Sequence, residues 1–367
     1  MMTRTVRFLD LSVNETDRVA LLDAMERVLD HGRILVGPEV QDLEERVAAR
    51  CGRRFVVGVG SGTDALILGL KALGVGLGDE VLTTSLAWRA TPTAIAYVGA
   101  SPVFADIRDD LNIDPDSVAR LISPRTRAIL PVHYTGKVCD MEPLIRLAEE
   151  HGLLLVEDVS QAFDARYRGR IAGSFGDVAC FSMNPMKIFA ACGEAGMVAT
   201  DSEDVYDKLI ALRYNGTVNR EVCIEPSFNG RLDTLQAAVL LQRLDGVEAI
   251  VQRRREIAAR YNGLLGGMVG VPDETEGDWD VYYTYTIRAP RRDELKAYLE
   301  ASGIETKIQH PYLMFQQPAY KDGATYDAAN AERLLQEILC IPANEKLADQ
   351  DVDYVAARIR DFYEGAA

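Results

Sequence analysis

The first residues in this 367-residue chain whose types and order suggest chemistry are Asp158 and Lys187. Leu153-Leu154-Leu155-Val156 reads as a short buried strand, and it runs into the acidic pair Glu157-Asp158. An acid at the carboxyl end of a buried parallel strand faces the crevice where α/β proteins bind ligands. A second strand follows over 177–182, then Lys187, then Gly193-Glu194-Ala195-Gly196 and a third short strand over 197–200. Pyridoxal phosphate needs a carboxylate that keeps its ring nitrogen protonated and a lysine amine that links to its aldehyde and later shuttles a proton. Asp158 and Lys187 can fill those posts, and Ser182, just before the lysine, offers a hydroxyl for the phosphate. Taken singly, they could be a helix-capping acid and a surface lysine. The ordered set points to the cofactor.

A phosphate seat is foreshadowed upstream. Phe55-Val56-Val57-Gly58-Val59 is a strand feeding Gly60-Ser61-Gly62-Thr63, which opens a helix whose free N–H groups and positive dipole end attract an anion. The same glycines begin a dinucleotide fingerprint, but Thr63 stands where its third glycine belongs. Trp88, after a strand over 80–84, is placed either to stack on a flat heteroaromatic ring or to fill core space. His133 follows a strand over 128–132, and touches substrate or is a satisfied structural histidine.

The segments Glu157-Asp158-Val159-Ser160-Gln161-Ala162, Tyr167-Arg168-Gly169-Arg170, Gly176-Asp177-Val178-Ala179-Cys180-Phe181-Ser182, Lys187 and Gly193-Glu194-Ala195-Gly196 together resemble the core of the DegT/DnrJ-type (DegT/StrS) sugar aminotransferases. A further match, Ser227-Phe228-Asn229-Gly230-Arg231-Leu232-Asp233, lies near the middle of the chain, and the likeness covers nearly all of it. It implies a pyridoxal-phosphate enzyme of fold type I, in which an amino acid, with glutamate as the expected donor, gives its amino group to a keto-sugar, most often nucleotide-linked. It also assigns Gly62 and Thr63 to the phosphate, Trp88 to the ring face and Gln161 to the ring's phenolic oxygen. Asn229 is then expected to reach the phosphate of a partner subunit in a homodimer with shared sites, although its type alone equally fits a turn residue.

Departures bear on the acceptor. Asn184 stands where many relatives carry histidine or an aromatic, Ala195 breaks a glycine run, and Gln309-His310-Pro311-Tyr312-Leu313-Met314 matches the family's His-Tyr-Pro pattern only loosely. His133, Asn184, His310 and Tyr312 are thus the candidate substrate contacts. A cyclitol ketone or small phosphorylated ketone is the alternative acceptor, and a pyridoxal-phosphate lyase or non-catalytic relative the alternative role.

The positioning elements follow from pattern. Alternating strands and helices through Thr200 predict an α/β fold, a mostly parallel sheet flanked by helices, within a large cofactor-binding domain over 1–245 that includes an N-terminal helix. That helix, over 14–30, is expected to bury Val19, Leu21, Leu22, Met25, Val28 and Leu29. A long helix over 232–264, kinked near Gly246, leads to a small α+β domain over 246–367. That domain should hold a half-exposed strand over 281–287, a helix over 292–302, a strand over 305–308 and a final helix over 349–363.

Net charge is −16, so a nucleic-acid or anionic membrane partner is not expected. The six cysteines lack metal-ligand or paired spacing, and no metal site is expected. With no signal-peptide pattern and no membrane-length apolar run, a cytoplasmic location is expected.

Overall fold

A computed structural model describes residues 4–365. In chain order, α1 (Glu15–His31) and α2 (Pro38–Cys51) precede β1 (Phe55–Val59), α3 (Gly62–Ala72), β2 (Glu80–Thr84), α4 (Ala90–Tyr97), β3 (Ser101–Ala105), α5 (Pro115–Leu121) and β4 (Thr126–Leu130). Then come α6 (Met141–His151), β5 (Leu154–Asp158), the hairpin β6 (Arg166–Tyr167) and β7 (Arg170–Ile171), β8 (Val178–Ser182), β9 (Gly196–Thr200) and α7 (Glu203–Leu212). A second small hairpin, β10 (Thr217–Val218) and β11 (Val222–Cys223), leads to α8 (Thr234–Leu244) and α9 (Val247–Leu265). The chain ends with β12 (Tyr285–Arg288), α10 (Arg292–Ala301), β13 (Thr325–Tyr326), α11 (Ala329–Leu335), β14 (Ile338–Ile341) and α12 (Asp349–Glu364).

Eight strands form one sheet in the order β1-β9-β8-β5-β4-β2-β3-β13. Only β9 runs antiparallel to its neighbours, β1 and β8. The carboxyl ends of β1, β2, β4, β5 and β8 therefore open on one edge, where ligands of such sheets gather. Both faces are covered, as the expected α/β architecture requires. Phe181 and Met197 point into a core shared with α2, α6 and α8, while Cys180 and Val198 point into one shared with α3, α4 and α7. A third core, around Tyr261, Leu295, Ile287, Leu339 and Val355, gathers α9, α10, α12 and the antiparallel pair β12/β14.

Chain beyond Gly246 does not all stay with that third core. Val247 and Val251 of α9 pack into the sheet's core, β13 pairs with β3 at the sheet's edge, and Leu313, Phe315 and Leu334 join the α3 side. No helix among the described residues is long and apolar enough to cross a membrane.

Three expectations are corrected. On α1, only Leu21 and Val28 of the predicted apolar set are buried, with Ala24 beside them; Val19, Leu22 and Leu29 are exposed because α8 covers one narrow stripe. The predicted half-exposed strand over 281–287 is strand only from Tyr285. It is buried on both sides there, since loop Thr135-Gly136 bonds to Val281 and Thr284 from the sheet side. Residues 305–308 form a single bridge, Lys307 with Cys340, because Gly303 and Glu305 give their backbone bonds to Val6 instead.

Candidate active site

Asp158 ends β5 and is nearly sealed from solvent, at 4% exposure. Its backbone is fixed from both sides, by its N–H donating to Pro131 O at 2.9 Å and its carbonyl accepting from the His133 N–H at 3.1 Å. The carboxylate is fixed too. Oδ2 accepts from the Thr91 hydroxyl at 2.9 Å, and Oδ1 from the Ser160 N–H at 3.1 Å. A carboxylate held by two donors keeps one orientation and stays an acceptor for a third group.

Lys187 sits in the loop between β8 and β9, which is cinched by the Met183 N–H to Ala195 O and the Ala191 N–H to Met183 O, both 2.8 Å. Its Nζ lies 4.6 Å from the centroid of the Tyr283 ring and has no hydrogen bond or ion pair among the described residues. Such an amine is free for covalent chemistry while the ring face holds it in place.

At the start of α3, the Ser61 hydroxyl caps the helix by accepting from the Asp64 N–H at 3.0 Å. The N–H groups of Gly62 and Thr63 are first-turn donors with no intrahelical acceptor. A Cβ added to Gly62 would lie 2.5 Å from Ser182 Cβ and 2.9 Å from its Oγ, so the helix start and the Ser182 hydroxyl converge on one spot. Gly196 is equally constrained, because a Cβ there would meet Ser61 O at 2.2 Å.

Trp88 is half exposed, with the Arg89 guanidinium 4.1 Å from its ring centroid and the His310 ring 5.9 Å away. His310 is buried, also stands 5.5 Å from the Tyr134 ring, and its Nε2 has no hydrogen-bond partner. Burial, then the charges of Lys307, Lys187 and Arg89, push its pKa down to about 3, so this ring is neutral. Gln161 is buried, with Oε1 accepting from the Thr135 N–H at 3.0 Å and its amide nitrogen without a protein hydrogen bond among the described residues. Tyr312 is 60% exposed, and next to it Met314 is buried and donates its N–H to Ser85 O at 2.9 Å. Asn229 is exposed; its Oδ1 accepts from Arg231 Nε at 2.7 Å, next to Gly230, whose carbonyl accepts from the Gly60 N–H at 2.9 Å.

One proposed substrate contact is corrected. His133 is fully buried, with Nδ1 accepting from the Cys139 N–H at 3.2 Å and Nε2 facing Glu157 Oε2 at 3.1 Å, which leaves neither nitrogen for a ligand. Glu157 in turn accepts from the N–H groups of Gly173, Phe175 and Gly176 at 2.7–2.8 Å. Burial drives its acid upward, but the bond and charge of His133, the Gly176 N–H and Arg53 outweigh it and hold the pKa below the ordinary value. Asn184 is partly buried and held in the loop: Oδ1 accepts from the Met186 N–H at 3.1 Å, and Nδ2 donates to Glu194 at 2.7 Å, which leaves its second amide hydrogen unused among the described residues.

The remaining features fit pyridoxal phosphate. An anion seat is bounded by a glycine that admits no Cβ, a spare amide donor stands at Gln161, an indole face is open, and an unpaired amine and an oriented carboxylate share the edge. The DegT/DnrJ/EryC1/StrS aminotransferase family matches residues 15–360. The chain belongs to this family. It is 39% identical over 368 residues to a dTDP-3-amino-3,4,6-trideoxy-alpha-D-glucose transaminase of Streptomyces venezuelae, covering 99% of this chain and 97% of that one. Among solved structures, S. venezuelae DesV in complex with a ketimine intermediate is 39% identical, with a TM-score of 0.95 and 99% of each chain covered. NtdA of Bacillus subtilis with bound cofactor PMP is 29% identical, with a TM-score of 0.92, over 98% of this chain and 85% of that one.

For this member of the family, sequence reasoning missed Thr91 and Tyr283. Thr91 lies three residues past Trp88, but nothing local tells that its hydroxyl meets a carboxylate from another strand. Tyr283 belongs to a tyrosine-rich run read as sheet packing, and the structure instead sets it beneath the reactive amine.

Proposed function

We propose that this chain is a pyridoxal-phosphate-dependent aminotransferase that moves an amino group from an amino acid, glutamate, to a keto-sugar carried on a nucleotide, for amino-sugar biosynthesis. The observation that carries the reading is the unpaired Lys187 amine on the same sheet edge as the doubly held Asp158 carboxylate. The dTDP-sugar transaminase among its relatives supports the acceptor class.

When bound, the cofactor supplies an aldehyde that links to amines and a protonated ring that draws electrons from a neighbouring carbon. The chain supplies the rest. Asp158 keeps the proton on the ring nitrogen, with Thr91 and Ser160 fixing its direction. Ser182 and the first-turn N–H groups of Gly62 and Thr63 hold the phosphate, Trp88 covers the ring face, and the Gln161 amide donates to the ring oxygen. Lys187 Nζ takes the proton from the donor's α-carbon and returns a proton to the carbon that receives nitrogen. His310, neutral, accepts a hydrogen bond from substrate, and Tyr312 lines the approach.

The reading includes a homodimer in which Asn229 of the partner subunit completes the phosphate seat. The exposed Val19, Leu22 and Leu29 on α1, with Leu11 and Leu35 exposed nearby in sequence, support an apolar interface there. We also place the protein in the cytoplasm, supported by six unpaired cysteines, and divide it into a large unit over 1–245 and a small one over 246–367, with parts of 313–335 returned to the sheet.

Glutamate added to the yellow holoenzyme should change the cofactor's absorbance and release 2-oxoglutarate, and a panel of dTDP- and UDP-linked keto-sugars should then outpace cyclitol ketones. A spectrum inert to every amino acid would overturn the assignment. Mixing Lys187→Ala with Asn229→Ala subunits should restore activity in hybrid dimers, and no recovery would refute the shared site.

A further inference from the structure

A cavity of about 340 Å³ opens between the sheet and the residues around β12. The sheet unit contributes Asp110, Thr135 and Lys137, and the small unit contributes Asp280, Thr284 and Thr286. Asp280 is only 3% exposed, and its Oδ1 has no hydrogen-bond partner. Its Oδ2 lies 3.6 Å from Lys137 Nζ, which already donates to Asp273 O at 2.8 Å. A buried carboxylate oxygen without a donor is costly unless something supplies one. Asp110 adds a second acid whose Oδ1 accepts only from the Asn112 N–H, and burial raises its pKa. Asp109 is spent on Arg288 at 2.8 Å and Arg333 at 2.7 Å, which leaves the acids Asp110, Asp273 and Asp280 against the single cation Lys137.

We propose that this cavity binds a small organic diammonium ligand, with Asp280 as the main anion and the threonine hydroxyls as further acceptors. Excess negative charge disfavours a phosphate-bearing molecule here, the nucleotide-linked acceptor included. A bare metal ion is a poor fit, since no group of three His, Cys, Asp or Glu among the described residues could hold one. The volume suits a molecule of several heavy atoms.

Two contacts tie the cavity to the cofactor site. Thr135 donates its N–H to Gln161 Oε1, and Tyr283, between the lining residues Tyr282 and Thr284, carries Lys187 over its ring. A ligand clamped between Asp110 and Asp280 therefore braces the two segments that position Gln161 and Lys187. Binding at this cavity does not require aminotransferase chemistry at Lys187.

Binding also moves a proton. Burial pushes the Asp280 pKa up to about 7; Glu274 and Asp278 add to this, and Lys137 opposes it. Arg255 donates to Asp280 O at 2.9 Å and Glu274 Oε1 accepts the Asp280 N–H at 2.8 Å, and Asp110, Asp273 and Arg288 line the same cavity. A cation selects the ionised carboxylate, so binding below neutral pH releases a proton.

Isothermal titration of the holoenzyme tests this with putrescine, its N,N,N′,N′-tetramethyl form, which cannot condense with an aldehyde, and 1,4-butanediol. Both amines should saturate one site, the diol should not, and at pH 6 the heat should depend on the buffer's own ionisation enthalpy. Asp280→Asn should weaken amine binding by about tenfold or more, the loss expected for a charge-assisted bond. Asp110→Asn should weaken it less, which guards against a folding defect in the first variant. Equal binding of the diol, equal displacement by KCl, or unchanged affinity in both variants would each overturn the proposal. An enzyme inactive with every amino acid that still binds the tetramethyl amine would sink the function and leave this site standing.

Discussion

Replacing Gly62 with alanine tests the phosphate seat at its tightest point. The new Cβ would lie 2.5 Å from Ser182 Cβ, 2.9 Å from its Oγ and 3.1 Å from its Cα, and side-chain carbons do not approach so closely. Ordinary contact needs a separation larger by roughly 1 Å, which close packing supplies only by moving the start of α3 or the end of β8. Both carry the proposed phosphate donors. A shift of that size breaks at least one charge-assisted hydrogen bond, a loss of about 1.5–3 kcal/mol, or roughly tenfold to a hundredfold in cofactor affinity. The strain itself costs about 1–3 kcal/mol of folding stability. Titrating cofactor-free protein with pyridoxal phosphate, read by the absorbance that follows linkage to Lys187, gives the dissociation constant. Gly263→Ala, on an open face of α9 where an added Cβ meets nothing within 4 Å, is the matched control. A folded Gly62→Ala protein whose cofactor affinity stays within a factor of about two of the control would refute the convergence of α3 and Ser182 on the phosphate.

Thr91→Val removes one of the two donors to Asp158 while keeping its shape, and kcat/KM should fall by about tenfold with melting temperature little changed, the net worth of one buried bond to a charged group. Equal kcat/KM would mean that Ser160 alone orients the carboxylate. Glu157→Gln leaves at least one of three backbone N–H donors facing an amide NH2, and urea denaturation should show a loss of about 3 kcal/mol or more. Because the folded pKa of Glu157 is depressed, its contribution is fully present above the ordinary glutamate value of 4.5 and is lost as pH falls through the lower folded value, so wild type and variant should converge in acid. Asp280 has the opposite sign: its folded pKa is raised from 3.8 to about 7, so ionisation at rising pH destabilises the fold. The stability of Asp280→Asn relative to wild type should therefore grow by about 3 kcal/mol between pH 5 and pH 8, at 1.36 kcal/mol per unit over the two units up to the folded value. A difference that does not change with pH would exclude a buried neutral carboxyl.

What could be read from the sequence was whatever short-range geometry determines. Asp158 and Ser182 are strand-terminal residues, and a parallel strand's carboxyl end is its ligand edge whatever surrounds it. Gly62 opens a helix directly after a strand, so its N–H groups are free by the rules of helix ends. What escaped was pairing over distance. The bond from Thr91 to Asp158 spans 67 residues. His133 carries no local mark of being satisfied, since one ring nitrogen meets Cys139 and the other meets Glu157, 24 residues on. The apolar period of α1 fixes which residues share a face but not which face finds a partner, and within one chain α8 covers only the side of Leu21 and Val28. The same distinction orders the site. In the proposed site, residues set by strand ends and helix starts hold the cofactor phosphate, while Thr91 and Tyr283, placed by long-range contacts, orient Asp158 and Lys187. Variants of the first kind should therefore register in cofactor affinity, and variants of the second in rate at full cofactor occupancy.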